Sequence, residues 1–571
     1  MSMQPQPWPE PAEEISKAVL AMYAGRRAPL PIVVRDELGE LFADAEFAEA
    51  FADRGPLGWS PGRLVLVTVL QAAENLTDRQ AAEAVRDKIS WKYALGLGLS
   101  DEGFDFSVLS EFRARIVANS MEARVLDLLV ARLVELGLLK ARGKQRTDSS
   151  HVLAAVRQLN QVELVGESVR AGVEALAAAD PDWVKACLDA SWQRRYGARV
   201  DSWRMPAART KRAALGADYA RDGVALLRAV WAPASPSWLA HLPAVGVLQR
   251  VLIQNVMVDV DRGGREVIRL READTDGLPP GRCRIVSPYD TDARWGGKRD
   301  LTWPGYKLHI SESCDSEAPA CPADEVPDTP PNLITNVATT DASVPDVAMT
   351  EPIHQDLARR DVPPAEHYVD SGYPSADLLV SSLTDFGVRL VTPMLADHSP
   401  QARAGEGFDR TGFAIDWDEQ RVTCPAGQSS ASWTPAVQRG TDVIVVKFTG
   451  EVCQPCPVKA RCTTAARGGR QLTLRPRPVQ EALDRARAEQ VTTDWQRRYA
   501  RRAGIESTIA QAVKVTNARR ARYRGLPKVR LEHNTMAAAL NLIRLDAWFN
   551  GEILDPRRTT HLTRLELVLA A

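Results

Sequence analysis

Two strand-like segments that run into Asp-Ser constrain the fold of this chain more than any other feature. GKQRTDSSHVL (143–153) carries Asp148 and EHYVDSGY (366–373) carries Asp370, each near the expected C-terminal end of a short strand. In an open α/β sheet, the carboxyl ends of the strands form the edge at which ligands bind. The sequence therefore predicts an α/β fold with two carboxylates at one sheet edge, unless both aspartates merely end their strands in turns.

Other segments supply the remaining strands of such a sheet. YKLHISES (306–313), NLITNVATT (332–340) and GVRLVTPML (387–395) carry the apolar and β-branched residues typical of strands. The rest of the chain divides into helical and short alternating patterns. We predict five regions, namely an all-helical N-terminal domain (1–140), a core (141–154 plus 286–404), a helical insertion (155–285), a β-rich insertion (405–480), and core helices with a C-terminal tail (481–571).

The N-terminal region contains two helices with clear start signals. Ser60 followed by Pro61 is a typical N-cap pair, and Thr77 with Gln80 three residues later is a capping-box pattern. Two helices separated by such a tight break are compatible with a helix-turn-helix that binds DNA. A structural helical hairpin would give the same pattern, so both interpretations stay open at this point.

Charge is distributed unevenly along a chain that is nearly neutral as a whole. The formal net charge is −1, yet residues 459–530 hold nineteen Lys or Arg and five Asp or Glu, a local balance of +14. A segment this basic attracts a polyanion such as nucleic acid even when the whole protein is neutral. A solvated helical surface rich in arginine is the alternative interpretation.

Neither a membrane span nor a secretory signal is evident in the sequence. The longest apolar candidate, VLDLLVARLVELGLL, is interrupted by Asp127, Arg132 and Glu135. The polar, Pro-rich start MSMQPQPWPEPAEE lacks the basic and apolar regions of a signal peptide. We therefore expect an intracellular protein without a membrane partner, whose cysteines are thiols or metal ligands rather than disulfides.

Four of the eight cysteines cluster in the β-rich insertion. Cys424, Cys453, Cys456 and Cys462 follow the pattern C-x28-C-x2-C-x5-C. The two-residue spacing between Cys453 and Cys456 lets two thiolates reach one tetrahedral ion. We expect the four thiolates to bind a structural Zn²⁺, with free thiols as the alternative.

A third acidic residue lies in the basic segment. In RRYARRAGIEST (497–508), Tyr499, Arg502 and Glu506 share one face if the segment is helical. An ordinary surface salt-bridge ladder would give the same spacing. Together with the two strand-end aspartates, however, Glu506 could hold two Mg²⁺ or Mn²⁺ ions about 3.5–4 Å apart, since hard cations bind oxygen ligands.

The three acidic motifs resemble the catalytic Asp-Asp-Glu of insertion-sequence DDE transposases. TDSSHVLAAVR, YVDSGYPSADLL and YARRAGIEST carry the three acids, and the last is similar to the Tyr-x2-Arg-x3-Glu-x6-Lys signature of one subgroup. Tyr499, Arg502 and Glu506 are in register with that signature, whereas position 513 is valine and Lys514 lies one residue late. The resemblance covers most of the chain and includes SPYDTDARWGGKRDLTWPGYKLHI and RGLPKVRLEHNTMAAALNLIRL.

This resemblance implies a ribonuclease-H-like catalytic core. In such a sheet the first strand carries one aspartate, the fourth strand carries the second, and a later helix carries the glutamate. Asp148, Asp370 and Glu506 would then be the catalytic residues and would bind two Mg²⁺ or Mn²⁺ ions. The helical insertion (155–285) after the first strand is unusually large for such a core.

The resemblance also implies contacts with DNA. Tyr499 and Arg502 would position a phosphate beside the carboxylates, and Lys514 is the candidate for the signature lysine. The further candidates for contacts with the DNA backbone are Lys298 and Arg299 in RWGGKR and, after the catalytic helix, Arg519, Arg520 and Arg524. A charged loop without a DNA role is the alternative for RWGGKR.

The implied function is that of a bacterial insertion-sequence transposase. The enzyme would cleave double-stranded DNA at terminal inverted repeats and join the freed 3′-hydroxyl ends to target DNA by hydrolysis and transesterification. A homodimer in the cytoplasm, associated with the nucleoid, is expected, with the N-terminal helices as a DNA-binding domain. The alternatives are a domesticated DDE nuclease that only cleaves and a non-catalytic DNA-binding protein.

Overall fold

The computed structural model describes residues 2–52, 54–200, 205–315 and 329–551 of the 571-residue chain. The tail expected at the end of the chain therefore lies mostly outside the described residues. Within these ranges, no helix is long and apolar enough to cross a membrane.

Helices and strands alternate along the described ranges, with helices dominating the two ends. The strands are β1 (Lys144–Leu153), β2 (Val256–Val260), β3 (Glu266–Leu270), β4 (Arg294–Lys298), β5 (Leu301–Ser313), β6 (Ile334–Asp341), β7 (Glu366–Val369), β8 (Arg389–Val391), β9 (Ala414–Asp416), β10 (Arg421–Thr423), β11 (Ser432–Gln438), β12 (Thr441–Lys447) and β13 (Gln471–Leu474). The α-helices are α1 (Glu13–Tyr23), α2 (Leu30–Val33), α3 (Pro61–Ala73), α4 (Asp78–Asp87), α5 (Ile89–Leu95), α6 (Ser107–Ala118), α7 (Arg124–Glu135), α8 (Gln161–Ala179), α9 (Pro181–Cys187), α10 (Ala190–Tyr196), α11 (Arg209–Val230), α12 (Pro243–Asn255), α13 (Ala273–Asp276), α14 (Thr350–Arg359), α15 (Ala376–Phe386), α16 (Pro400–Ala404), α17 (Gly450–Cys453), α18 (Lys459–Cys462), α19 (Arg477–Glu489), α20 (Thr493–Tyr499), α21 (Ile505–Thr516) and α22 (Leu526–Phe549).

The largest sheet has six strands of mixed direction. β1 lies at its centre, antiparallel to β5 and parallel to β7. β5 also pairs with β6 and forms a hairpin with β4, whereas β8 adds in parallel to the outer side of β7. The chain thus has the α/β sheet that its sequence predicts, with the strand order β4-β5-β1-β7-β8 and with β6 also paired to β5.

β1 is longer than the sequence indicates, and this changes the place of Asp148. The strand continues to Leu153 because its second half pairs with β5 to the end. The prediction that Asp148 ends a strand was therefore wrong, whereas Asp370 does follow the last residue of β7. The parallel ladder between β1 and β7 nevertheless stops at Thr147 and Val369, one residue before each aspartate. Both aspartates consequently lie where that ladder ends.

The N-terminal helices pack directly on the sheet and on α22. Their apolar residues form one continuous core with β1, β5, β6, α21 and α22. The predicted helix starts are confirmed, since the Ser60 side chain accepts from the N–H of Arg63, and Thr77 and Gln80 form a reciprocal capping box. Because the apolar packing is continuous, burial of the N-terminal helices also stabilises the helices that carry part of the candidate site.

The insertion between β1 and β4 has an apolar core of its own. α8, α11 and α12 pack together around residues such as Val165, Leu226 and Leu248. The region also contains the hairpin β2–β3, which the prediction of a helical insertion does not include. Gly263 and Gly264 lie in its turn, and Gly264 has φ of +78°, which glycine adopts without steric cost.

Residues 405–480 form two small sheets, with the short helices α17 and α18 between β12 and β13. β9 pairs with β10, and β11, β12 and β13 form a three-stranded sheet. A small apolar core lies between these elements, and Cys424, Cys453 and Cys462 pack against it. The unit therefore brings cysteines that are distant in sequence to one apolar surface.

Candidate active site

Three carboxylates from distant parts of the sequence meet where the β1–β7 ladder ends. β1 contributes Asp148, the turn after β7 contributes Asp370, and the first turn of α21 contributes Glu506. The guanidinium of Arg502 lies among them. Its Nη2 is 2.5 Å from Asp148 Oδ2 and 3.9 Å from Asp370 Oδ2, and its Nη1 is 3.1 Å from Glu506 Oε1. The acids predicted from three separate motifs thus share one cationic neighbour.

The three carboxylates differ strongly in exposure. The side chains of Asp148, Asp370 and Glu506 are 9%, 28% and 68% exposed. Burial raises the pKa of Asp148 and the negative charge of Asp370 raises it further, while Arg502 and the N–H of Ser149 oppose this shift. The site is therefore closed at Asp148 and open to solvent on the side of Glu506.

The donor set suits a hard divalent cation, because three carboxylates converge on one positive group. In this structure that positive group is the guanidinium of Arg502. Among the residues that the structure describes, no group of three or more His, Cys, Asp or Glu side chains is arranged to hold a metal ion. Binding of one cation by all three acids therefore requires Arg502 to move.

The segment around Arg502 is not the continuous α-helix that its residue spacing predicts. α20 ends at Tyr499, a 3₁₀ turn spans Ala500–Gly504, and α21 follows. A 3₁₀ turn has three residues per turn, so side chains along it do not keep the α-helical spacing. Tyr499 is half-buried and stacks on Trp495, with ring centroids 4.7 Å apart, so its ring packs against protein in this conformation.

A buried charged network holds α21 against the sheet, and no sequence motif pointed to it. Glu312 of β5 is fully buried, and its Oε1 accepts from Arg146 Nε at 2.7 Å. Its Oε2 accepts from Thr508 Oγ1 at 2.5 Å and from Arg544 Nη1 at 2.9 Å. These groups join β1, β5, α21 and α22 behind the carboxylates. The single signal in the sequence is an acidic residue near the end of a strand that is buried along most of its length.

Gly504 allows the 3₁₀ turn to approach β1 closely. A Cβ at this position would lie 1.9 Å from Nη1 of Arg146. The same nitrogen donates to the main-chain carbonyl of Arg501 at 2.7 Å. The contact that fixes the turn therefore requires glycine at position 504, two residues before Glu506.

Two of the predicted DNA contacts flank the carboxylates along the second half of β1. Lys298 lies close enough to Asp148 for its positive charge to oppose the burial-driven rise of that pKa. Arg519 Nε donates to Ser150 Oγ at 3.2 Å. The structure thus brings these two cations to the edge that holds the carboxylates.

The other predicted DNA contacts are exposed and lie further away. Arg520 and Arg524 follow Arg519 beside the end of β1. Arg299 lies in the turn between β4 and β5, and Lys514 lies in the last turn of α21. In the part of the chain that the structure describes, no ion pair joins Arg299 or Lys514 to the three carboxylates. Their predicted roles stay predictions.

The four cysteines of the β-rich unit lie close to one another. Burial raises the pKa of Cys462, and the other three thiols raise it further. The main-chain N–H of Gln428 donates to Cys424 Sγ at 3.3 Å. That of Arg470 donates to Cys453 Sγ at 3.5 Å. The described residues nevertheless form no assembled metal-binding group, so the Zn²⁺ site stays a prediction.

Two family models match segments of the chain. The first, described as a transposase DDE domain, matches residues 423–546, which include Glu506. The second, described as a transposase domain (DUF772), matches residues 29–115 in the N-terminal helices. Neither segment contains the two aspartates of the candidate site.

The wider comparisons add no relative to these two matches. No curated protein and no solved structure matches the chain. DDE transposases act on DNA and generally use divalent metal ions. The two matches support a DDE transposase, and over these two segments the chain is similar to such enzymes.

Proposed function

We propose that the protein is a DNA transposase that cleaves at insertion-sequence ends and joins them to target DNA. The observation that carries this proposal is the convergence of Asp148, Asp370 and Glu506 on one guanidinium. A surface salt-bridge ladder would join residues of one helix, whereas these acids come from a strand, the turn after another strand, and a helix that are distant in sequence. The two transposase-family matches favour the same interpretation.

We further propose that the sheet is a ribonuclease-H-like core. β4 pairs only with the neighbouring β5 and is left aside here. The first four of the remaining strands in chain order are β1, β5, β6 and β7. The first and fourth of these lie side by side, and each is associated with one aspartate, while a later helix carries the glutamate. This order supports the arrangement that the acidic motifs imply.

The three carboxylates would hold the divalent cations, either Mg²⁺ or Mn²⁺. When bound, such ions supply activation of the attacking oxygen and stabilisation of the leaving oxygen of a phosphodiester. Asp148 is the fixed member of the trio, since it is buried in a strand and its Oδ1 accepts from the N–H of Ser149 at 2.7 Å. Glu506 is the most exposed member and is free to adjust to the substrate.

Arg502 would have two partners in succession. In the conformation described, its single positive charge lies among the three acids, and its side chain is 17% exposed. Once it leaves the carboxylates, its planar guanidinium lies beside the site, where a DNA phosphate is a suitable bidentate partner. Tyr499 would support this segment by its stacking on Trp495. Lys298 and Arg519, with the neighbouring exposed arginines, would bind the DNA backbone.

The cysteine unit would bind one structural Zn²⁺. The proximity of the four thiols and the N–H donors to Cys424 and Cys453 sulfurs support this, because such hydrogen bonds stabilise thiolates. Native mass spectrometry of the purified protein is expected to show one zinc per chain, lost in a Cys453→Ser/Cys456→Ser variant and kept in Cys187→Ser. Four freely titratable thiols and no zinc in the wild type would contradict the proposal.

The proposed function is tested with DNA that carries the sequences flanking the gene. Purified protein is incubated with a plasmid bearing these ends in Mg²⁺ or Mn²⁺, and cleaved and joined products are separated on gels. Asp148→Asn, Asp370→Asn and Glu506→Gln are each expected to abolish both products. Asp182→Asn, which changes an exposed carboxylate of the helical insertion, serves as the control and is expected to retain them.

The same assay separates the alternatives. Cleaved DNA without joined products would indicate a domesticated nuclease that uses the same site. Binding of the ends without cleavage, unchanged in the three carboxylate variants, would indicate a non-catalytic DNA-binding protein. Full activity in any one of the three variants would remove that residue from the site.

A further inference from the structure

A fourth carboxylate, paired with a lysine, lies next to the residues that adjoin Asp148 and Asp370. Asp346 is the first residue of a 3₁₀ turn between β6 and α14. Its Oδ1 is 2.9 Å from Nζ of Lys307, and the two side chains are 15% and 16% exposed. Lys307 Nζ also donates to the carbonyl of Val344 at 2.7 Å. Both charges are therefore largely withdrawn from water and held by each other.

Asp346 contacts the neighbour of one catalytic aspartate. Its Oδ2 accepts from Ser149 Oγ at 3.1 Å, and the N–H of Ser149 donates to Asp148 Oδ1 at 2.7 Å. Side chains alternate along a strand, so Ser149 faces the side of the sheet opposite to Asp148. Asp346 thus hydrogen-bonds to Ser149 on the face of the sheet opposite to Asp148, and the N–H of the same Ser149 orients Asp148.

The same carboxylate also lies against the turn that carries Asp370. The N–H of Gly372 donates to Asp370 Oδ1 at 2.9 Å. A Cβ on Gly372 would lie 3.1 Å from Asp370 Oδ1 and 3.4 Å from Asp346 Oδ2. Asp346 Oδ2 therefore lies within van der Waals reach of the turn that carries Asp370.

A buried ion pair is a costly way to stabilise a fold. The loss of hydration of two buried charges often exceeds their attraction, and apolar residues of similar size stabilise as well or better. The position of this pair, between the neighbours of Asp148 and Asp370, suggests a role in geometry instead. Residues that orient metal ligands from behind typically change metal affinity when they are substituted.

We infer that Asp346 and Lys307 are positioning residues for the carboxylate site, and this inference rests on the proposed function. On one face of the sheet, the pair holds Ser149 by a hydrogen bond and lies beside the turn at Gly372. The Glu312 network fixes α21 from the other face. Neither residue touches substrate in this role, and the two act through Asp148 and Asp370.

The test compares Asp346→Asn, Lys307→Met and the double variant. For each variant, calorimetry gives the affinity for Mn²⁺ and thermal unfolding gives the midpoint temperature. The kcat and KM for DNA cleavage are measured as well. Each single variant is expected to weaken Mn²⁺ binding about tenfold and to lower the midpoint, because it leaves one charge unpaired. The double variant has no unpaired charge. It is expected to regain the wild-type midpoint of thermal unfolding but not the wild-type affinity for Mn²⁺.

Two controls make the outcome decisive. Asp222→Asn breaks an ion pair, at 2.8 Å from Arg195 in the insertion, whose aspartate is as buried as Asp346, and is expected to lower the midpoint of thermal unfolding without changing Mn²⁺ affinity. Ser149→Ala removes one hydroxyl and is expected to weaken Mn²⁺ binding even if the charge variants fold poorly. Recovery of both properties in the double variant, or wild-type Mn²⁺ affinity in Ser149→Ala and Asp346→Asn, would overturn the inference.

Asp148→Asn, measured in parallel, separates this inference from the proposed function. If Asp148→Asn keeps Mn²⁺ affinity and cleavage, the proposed function itself fails. If Asp148→Asn loses both while the Asp346 and Lys307 variants lose neither, the carboxylate site stands and the positioning role fails.

Discussion

The guanidinium of Arg502 is the group on which the candidate site is organised in this conformation. It contacts Asp148, Asp370 and Glu506, which would otherwise repel one another at the sheet edge. Its single positive charge reduces this repulsion, and under the proposed function Arg502 would give way to bound cations.

Arg502→Gln is therefore expected to destabilise the cation-free protein. Loss of the shared counter-ion leaves three carboxylates facing one another, one of them buried. We expect the free energy of unfolding to fall by about 3 kcal/mol. Thermal unfolding in EDTA should show a lowered midpoint, and Mn²⁺ should raise the midpoint more than in the wild type. Arg497→Gln, at an exposed position nearby, should match the wild type in both conditions. An unchanged midpoint for Arg502→Gln in EDTA would argue against the shared counter-ion.

Gly504→Ala tests the close approach of the 3₁₀ turn to β1. The new Cβ would lie 1.9 Å from Arg146 Nη1, so the turn or the guanidinium must shift. We expect a loss of about 1–3 kcal/mol in the free energy of unfolding, with reduced cleavage because Glu506 is displaced. Urea unfolding and the plasmid assay measure these effects.

Gly246→Ala is the matched control for that substitution. Gly246 lies inside α12, and a Cβ there meets nothing within 4 Å. Alanine should therefore stabilise by about 0.5–1 kcal/mol, since glycine is the poorer helix former. Equal effects of the two substitutions would contradict the steric account of Gly504.

At the residue scale, the sequence predicts groups that lie in local motifs and misses groups defined by distant partners. Asp148, Asp370 and Glu506 each follow a recognisable short pattern, and the structure brings them together. Glu312 and Asp346 have no such pattern, because their partners come from other strands and helices. The pairing of β1 with β5 and the packing of α21 and α22 on the sheet bring those partners into contact.

At the scale of elements, the ends of strands and helices differ from prediction for identifiable reasons. β1 runs past Asp148 because β5 continues to pair with it. The helix predicted around Arg502 is interrupted by a 3₁₀ turn that packs on Arg146. The hairpin in the insertion could have been found from Gly263 and Gly264 between two β-branched segments. The end of β1 and the interruption of the helix both depend on contacts with residues distant in sequence, and local propensity does not reveal such contacts.

The network around Glu312 joins four elements, and its loss is expected to lower the free energy of unfolding strongly. Glu312→Gln removes the buried negative charge that pairs with the guanidiniums of Arg146 and Arg544. We expect the free energy of unfolding to fall by about 3–5 kcal/mol. Glu135→Gln, which breaks an exposed pair with Arg132, should change it by less than about 1 kcal/mol. Similar losses in the two variants on urea unfolding would contradict the proposed role of the network.

His533 makes α22 sensitive to acid. The residue is buried, its Nδ1 lies 2.7 Å from Thr339 Oγ1, and burial lowers its pKa to about 3. Between about pH 6.5 and pH 3, the unfolded chain binds a proton at this histidine and the folded chain does not. The stability from this group is therefore complete above pH 6.5 and falls as the pH decreases.

We expect His533 to contribute about 1.4 kcal/mol per pH unit to that loss. His533→Gln should reduce the slope of unfolding free energy against pH by this amount over pH 4–6, as measured by urea unfolding. His241→Gln, at an exposed position, should leave the slope unchanged. A wild-type slope in His533→Gln would contradict the assignment.

At the scale of the whole molecule, the regions predicted from composition are not equally independent. The insertion between β1 and β4 has its own apolar core, as does the small β-rich unit. The N-terminal helices instead share one core with the sheet and with α22. Composition and periodicity predict which segments are helical, but they do not predict which segments share a core, because that depends on the final packing of α22.

The central claim is that Asp148, Asp370 and Glu506 form one divalent-cation site, and calorimetric Mn²⁺ binding to the whole protein tests it most directly. The affinity of the wild type is compared with that of Asp148→Asn, Asp370→Asn and Glu506→Gln, with Asp182→Asn as the control. Each of the three substitutions is predicted to weaken Mn²⁺ binding at least about tenfold, whereas the control should bind like the wild type. Wild-type affinity in all three variants would contradict the account.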